Sequence, residues 1–149
     1  MRFIADNMLG KLARWLRIIG CDVLYFKNIC DEDLINISLE ENRIVLTKDT
    51  RLIKRLKNYL FIESDHIEDQ LKQFLNTFKI DPFEDFFSRC TVCNEIADEV
   101  KRNEIKDVVP PYVYNTQTLF MQCPVCKRIY WRGTHKRKAE ERLKELLNK

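Results

Sequence analysis

Residues 2–26 read RFIADNMLGKLARWLRIIGCDVLYF, and the change of period within them decides the fold. Arg2 to Ala5 is a short apolar run that stops at the carboxylate of Asp6, the pattern of a strand. From Met8 to Ile19 the apolar residues recur at helical spacing, with Met8, Leu12, Trp15, Leu16 and Ile19 on one face, and Gly20 closes the helix. Val23 to Phe26 starts a second strand. The alternation continues with a helix over Glu32 to Glu41, holding Leu34, Ile35 and Leu39 inward, and a strand over Ile44 to Thr47. A helix over Thr50 to Leu56, a strand over Tyr59 to Ile62 and a helix over His66 to Phe78 complete it. Strands and helices that alternate through short links predict an α/β fold with a parallel sheet flanked by helices. Sites in such sheets gather at the carboxyl ends of the strands.

Beyond this unit, Asp81-Pro82-Phe83 interrupts the helical pattern, and the chain divides into residues 1–80 and 81–149. The second part carries Cys90 and Cys93 as one Cys-x-x-Cys knuckle and Cys123 and Cys126 as another, with 29 residues between them. Two such pairs complete the tetrahedral thiolate shell of a structural Zn²⁺ site, so residues 88–135 predict a small zinc ribbon with a long inner excursion. Disulfides and a redox pair are the competing readings. A zinc ion with four thiolates is inert, and catalysis must lie elsewhere. Tyr112 to Tyr114, Leu119 to Gln122 and Arg128 to Trp131 read as ribbon strands. Lys136 to Leu147 reads as a final amphipathic helix whose Ala139, Leu143, Leu146 and Leu147 can dock. Cys21 and Cys30 fall outside the zinc pattern and read as buried free thiols.

The 149 residues are 45% hydrophobic and 33% charged, and no apolar run approaches the roughly 18 residues that span a bilayer. An intracellular, cytoplasmic protein without membrane association is expected. The formal charge of +3 hides an uneven distribution. No acidic residue occurs between Asp107 and Glu140, an interval that holds Lys127, Arg128, Arg132, Lys136, Arg137 and Lys138 among five aromatic residues, Trp131 included. Cations beside flat rings can follow phosphates while stacking on unpaired bases, although the same rings also suit a ribbon core. A second acid-free stretch, Asn7 to Cys21, carries Lys11, Arg14 and Arg17.

Asp6 follows the first strand, Asp49 the third, and Asp31 opens the second helix with Glu32 and Asp33 behind it. Carboxylates converging at strand ends repel one another, and a hard dication such as Mg²⁺ or Mn²⁺ relieves that repulsion. Lys48 and Arg51 flank Asp49 and are placed to hold a phosphate. Each acid also has a structural reading, since Asp31 and Asp49 can cap helices. Asp6 resists that reading, because a carboxylate buried without partners is costly.

The segments FIADNMLGKLARWLRIIGCDVLY, RIVLTKDTRL, FIESD, SRCTVCN, VPPYVYNT and CPVCKRIYWRGTH together resemble the Mut-seven C-terminal ribonuclease family, over about residues 2–135. The resemblance implies a PIN-like nuclease domain followed by a zinc ribbon, and a divalent-metal-dependent ribonuclease acting endonucleolytically on RNA. It implies Asp6, Asp31 and Asp49 as the catalytic acids that hold Mg²⁺ or Mn²⁺, with Asp33 as a substitute for Asp31. Lys11, Arg14, Lys48, Arg51, Arg128, Trp131, Arg132 and Lys136 are then the RNA contacts, and structured RNA or the ribosome is the partner. The chain departs from the pattern at Thr50-Arg51-Leu52-Ile53, where many PIN nucleases carry a fourth acid; Asp65 is the available replacement. The departure leaves open weak activity, or a non-catalytic zinc-ribbon RNA-binding or ribosome-associated factor.

Overall fold

A computed structural model describes residues 1–148. Lys149, the last residue of the expected second part, lies outside the described residues. Four parallel strands form the main sheet in the order β2-β1-β3-β4: β1 Arg2–Ala5, β2 Asp22–Tyr25, β3 Ile44–Thr47 and β4 Tyr59–Phe61. Phe3 pairs with Val23 on one side and Ile44 on the other. The chain builds β2 on one flank of β1 and returns to build β3 on the other. The order therefore reverses beside β1, and the carboxyl ends of β1 and β3 flank the switch point, where sheets of this kind have their binding crevice.

Side-chain alternation along the strands fills both faces of the sheet. Phe3 and Ala5 point to the side covered by α1 (Gly10–Ile18) and α3 (Ile67–Phe78), where Leu12, Leu16, Leu71 and Phe74 are buried. The rings of Phe74 and Phe78 meet Phe3 edge-on, each at 4.9 Å. Ile4 and Val45 point to the opposite side, against Leu34 of α2 (Asp31–Glu40) and Leu52.

The structure departs from the sequence reading where caps and turns override periodicity. Asp6 caps a 3-10 turn over Asn7–Leu9. That turn shifts the register, so Leu9 is buried and Met8 is 57% exposed. Leu39 is also exposed, because only Leu34 and Ser38 are buried on α2. The expected helix over Thr50 to Leu56 contracts to a 3-10 turn over Leu52–Arg55. Cys30 is exposed rather than buried, while Cys21 is largely shielded and burial pushes its thiol up to about 11.

The second part forms a three-stranded antiparallel sheet in the order β5 (Asp98–Val100), β6 (Phe120–Gln122), β7 (Ile129–Trp131). Residues 112–114 belong not to a strand but to a short helix, α4 (Pro111–Thr116). Pro111 stands in its first turn, where a fixed φ and a missing N–H favour a helix start. Val113 and Phe120 share a small core with Ile105 and Val109.

Contacts at both ends bind this part to the main sheet, and between them the Phe87 N–H donates to the Ile18 carbonyl at 2.7 Å. The final helix, α5 (Thr134–Leu147), inserts Leu143 and Leu146 into the core that holds Phe3, Leu71 and Phe74. At the other end, the first cysteine knuckle is tied to α1 and β2. Arg17, only 9% exposed, donates to the carbonyls of Val23 at 2.9 Å, Thr91 at 3.1 Å and Val92 at 3.2 Å. Arg17 is therefore an anchor and not the surface cation its sequence neighbourhood suggests. Asn94, in the left-handed conformation at φ 65°, accepts from the Val23 N–H at 3.0 Å and donates to Asp22 Oδ1 at 2.7 Å.

Candidate functional site

The end of β1 carries Asp6 to the switch point at 4% exposure. Its burial is matched by donors. Oδ1 accepts from the Met8 N–H at 2.9 Å, and Oδ2 accepts from the Lys48 N–H at 3.0 Å and from the Thr47 hydroxyl. The Thr47 oxygen in turn accepts from the Asp49 N–H at 2.9 Å. Asp49 Oδ1 accepts from the N–H groups of Arg51 at 2.8 Å and Leu52 at 3.3 Å, which caps the 3-10 turn. One hydroxyl thus couples the acid after β1 to the backbone that orients the acid after β3. Thr47 is the residue the sequence reading missed. Its signal was a polar residue ending the otherwise apolar strand IVLT.

Asp31 stands exposed in the first turn of α2, beside Glu32 and Asp33. Glu32 is paired with Arg55 at 3.0 Å. The carboxylates of Asp6, Asp31 and Asp49 are not gathered as closely as the cysteine sulfurs described below. Lys48 does not point its ammonium at a free phosphate site; Nζ pairs with Asp65 at 2.9 Å and donates to the carbonyls of Glu63 and Ser64. That pairing holds the Asp65 carboxyl below its usual range. Arg51 and Lys11 are exposed.

The second cluster is compact. The sulfurs of Cys90, Cys93, Cys123 and Cys126 all lie within 4.8 Å of one another, the one such group of three or more candidate ligands among the described residues. Cys90 and Cys126 are 3.7 Å apart. Tetrahedral zinc with Zn–S bonds of about 2.3 Å places sulfurs about 3.8 Å apart, so the donor set fits. Each knuckle closes with an N–H to sulfur bond, from Cys93 to Cys90 and from Val125 to Cys123, both at 3.4 Å. The Tyr130 hydroxyl donates to Cys90 Sγ at 3.0 Å. Burial opposes ionisation of Cys90, but that hydroxyl and the Cys93 and Val92 N–H groups bring its thiol down to about 7. Burial and neighbouring thiols push Cys93 up to about 12. A dication is what lets four such thiols ionise together.

Some of the basic and aromatic residues of the second part face α1, while Phe120 lies in the ribbon core with Tyr114 and Trp131 packed against it. Arg128, Trp131 and Lys136 line one concavity together with Arg14 of α1, and Arg132 lines the next. Burial, then the charge of Arg132, holds the Lys136 ammonium below its usual range. The indole of Trp131 packs over Gly133, where an added Cβ would come within 2.6 Å of Nε1. His135 lies at the start of α5 and lines the same concavity as Trp131. No helix among the described residues is long and apolar enough to cross a membrane.

Fold and clusters together define a doubly wound α/β domain, with the buried Asp6 at its switch point, that is joined to a four-cysteine cluster fit to hold a metal ion. The chain matches the family model described as Mut7-C RNAse domain over residues 1–143 and belongs to that family. Membership gives a ribonuclease-like role with RNA as the substrate class. Comparison with curated proteins and with solved structures found no match.

Proposed function

We propose that the protein is a divalent-metal-dependent, PIN-like ribonuclease that cuts RNA internally, with residues 1–80 as its nuclease unit and residues 81–149 as a zinc-ribbon unit that presents RNA to it. The observation that carries this reading is the buried, three-donor carboxylate of Asp6 at the switch point of a chain that belongs to a ribonuclease family. Three donors fix the orientation of this side chain and offset the cost of burying it beside the switch point. The donor chemistry suits Mg²⁺ or Mn²⁺: Asp49 Oδ2 accepts no hydrogen bond among the described residues, and Asp6 Oδ1 accepts one. Asp6 and Asp49 would hold the ion, with Asp31 completing the acidic rim. When bound, such an ion supplies charge to the developing phosphorane and lowers the pKa of an attacking water. Thr47 keeps Asp6 and the Asp49 backbone in register. Arg51, flanking the crevice, supports a substrate phosphate; Lys48 instead fixes the loop at residues 63–65. The cysteine centre would hold Zn²⁺ for folding alone. We place the protein in the cytoplasm, on the thiol-rich composition of a chain that uses cysteine as ligand.

A second reading has its own observation. The three acids are not brought as close together as the four thiols, and Asp65, the replacement for the missing fourth acid, is 87% exposed and paired with Lys48. A zinc-ribbon RNA-binding or ribosome-associated factor with a decayed acidic site fits those facts. The two are separated by comparing Asp31→Asn and Asp49→Asn with the parent in parallel cleavage and RNA-affinity assays. Loss of cleavage with affinity retained supports the nuclease, and unchanged behaviour in both supports the binding factor.

A further inference from the structure

The cations on the α1-facing side of the ribbon are arranged in sequence along one path. Three concavities of about 230, 420 and 520 Å³ follow the seam between α1, the β6–β7 hairpin and the start of α5. The first and second share Arg14 and Arg128, and the second and third share Tyr130, Trp131 and Lys136. Shared walls make them one trough. Its inner end is lined by Gly10 and Tyr25. The Tyr25 hydroxyl donates at 2.9 Å to the carbonyl of Asn7, the residue next to Asp6. The trough therefore begins near the backbone that follows β1 and ends on the ribbon hairpin.

Its walls are mainly cationic; the nearest carboxylate, Glu140, lines the concavity that adjoins the outer end and sits beside Arg132 and Lys136. No acidic residue lines any of the three concavities, and Arg14, Arg128, Arg132 and Lys136 form no ion pair among the described residues. Arg14 and Arg128 come from opposite parts of the chain and meet where Arg17 and Asn94 hold the first knuckle against α1 and β2. Where Arg14 and Arg128 meet, cations brought together with no carboxylate in the wall favour an anion between them. The size of the path narrows the choice. Clefts of about 300–1,000 Å³ enclose groups of small-molecule dimensions, whereas an RNA duplex is read across a wide, shallow groove by extended surfaces. Trp131, half-buried against the ribbon core, stands midway along this path, and a ring held so beside cations is an arrangement that stacks an unpaired base.

We infer that this trough is the track of a single, unpaired RNA strand leading from the ribbon hairpin to the Asp6 crevice, with Trp131 stacking one base and Arg14 and Arg128 holding consecutive phosphates. The inference rests on RNA being the substrate class and is independent of whether cleavage occurs.

The test is fluorescence anisotropy with the full, zinc-loaded chain, a labelled oligouridine and a fully paired RNA of the same length. The oligouridine binds at least tenfold more tightly than the duplex. Reversal of both arginines (Arg14→Glu with Arg128→Glu) lowers oligouridine affinity at least tenfold and flattens its salt slope by about 1.4, the value for two phosphates on a single strand. Trp131→Ala lowers affinity by about tenfold, and Trp131→Phe restores most of it. Lys57→Glu, an exposed cation before β4 at the opposite end of the sheet, changes little and controls for net charge. Variants are compared at equal zinc content, with Arg14→Gln and Arg128→Gln replacing the reversals if those fail to fold. Equal binding of duplex and oligouridine, or affinity indifferent to both arginines and Trp131, overturns the trough. A chain that cuts RNA yet shows that indifference keeps the nuclease and loses the trough; one that binds through these residues and cuts nothing keeps the trough and loses the nuclease.

Discussion

The Thr47 hydroxyl donates to Asp6 Oδ2 and so joins the ends of β1 and β3, two strands paired side by side in the main sheet. Thr47 is fully buried, and its methyl group sits where a strand interior would accept valine. Thr47→Val keeps the shape and removes the donor. It leaves a buried carboxylate one bond short and the Asp49 N–H without its acceptor, and costs about 1–3 kcal/mol of stability. RNA cleavage falls by tenfold or more, because Asp6 loses the partner that fixes its rotamer. Thr47→Ser restores most of both. Denaturant melts beside single-turnover cleavage rates check this; a Thr47→Val variant as active as the parent would show that the hydroxyl is structural alone.

Arg17 joins the knuckle to the sheet through three carbonyls. Arg17→Met keeps the aliphatic packing and deletes the donors, leaving the carbonyls of Val23, Thr91 and Val92 unpaired at a cost of about 3 kcal/mol. Hydrogen exchange should rise at residues 88–97 and β2 before the α3 core is affected. Uniform loosening of the whole chain would instead mean that the ribbon and the sheet unfold as one.

Acid should release the same junction. Burial works to raise the Asp22 carboxyl, but hydrogen bonds from Arg43 and Asn94 and the charge of Arg43 hold it below its usual range. A carboxyl with a folded pKa below its unfolded value adds stability that is fully present above the unfolded value, about 3.9, and is lost as pH falls through the folded one. Urea midpoints should therefore drop below about pH 4. Asp22→Asn should be less stable than the parent at neutral pH and show a shallower drop. An identical pH profile in the variant would remove Asp22 from the account.

The sheet was legible in the sequence because each strand is a short apolar run that ends in a turn or a cap, and all four appear within a residue or so at each end. The cysteine knuckles were legible because ligand spacing is a local signal. The start of α1 was not, since the side chain of Asp6 rewrites the first turn and exchanges Leu9 for Met8. Nor was β5, whose residues Asp98–Val100 carry two acids and no alternation, and which exists only by pairing with β6. Thr47, Arg17 and the Lys48 to Asp65 pair depend on which strands adjoin, and that is set by tertiary packing. For the same reason Lys48 looked like a phosphate ligand when read beside Asp49 alone.

Metal removal should act on the ribbon. Elemental analysis should find about one zinc per chain, and less than half of that in Cys123→Ser. Chelation should then expose thiols to a colorimetric reagent and loosen residues 88–131. Full zinc occupancy in Cys123→Ser would refute the four-thiolate centre.

The most direct measurement is incubation of a labelled, partly unpaired RNA with the purified protein and with Asp6→Asn, in Mn²⁺, in Mg²⁺ and in chelator. Internal cleavage that needs the metal and disappears in Asp6→Asn, with RNA affinity unchanged or slightly raised as a negative charge leaves the crevice, is the predicted result. RNA binding without cleavage in every condition, or cleavage undiminished in Asp6→Asn, would contradict it.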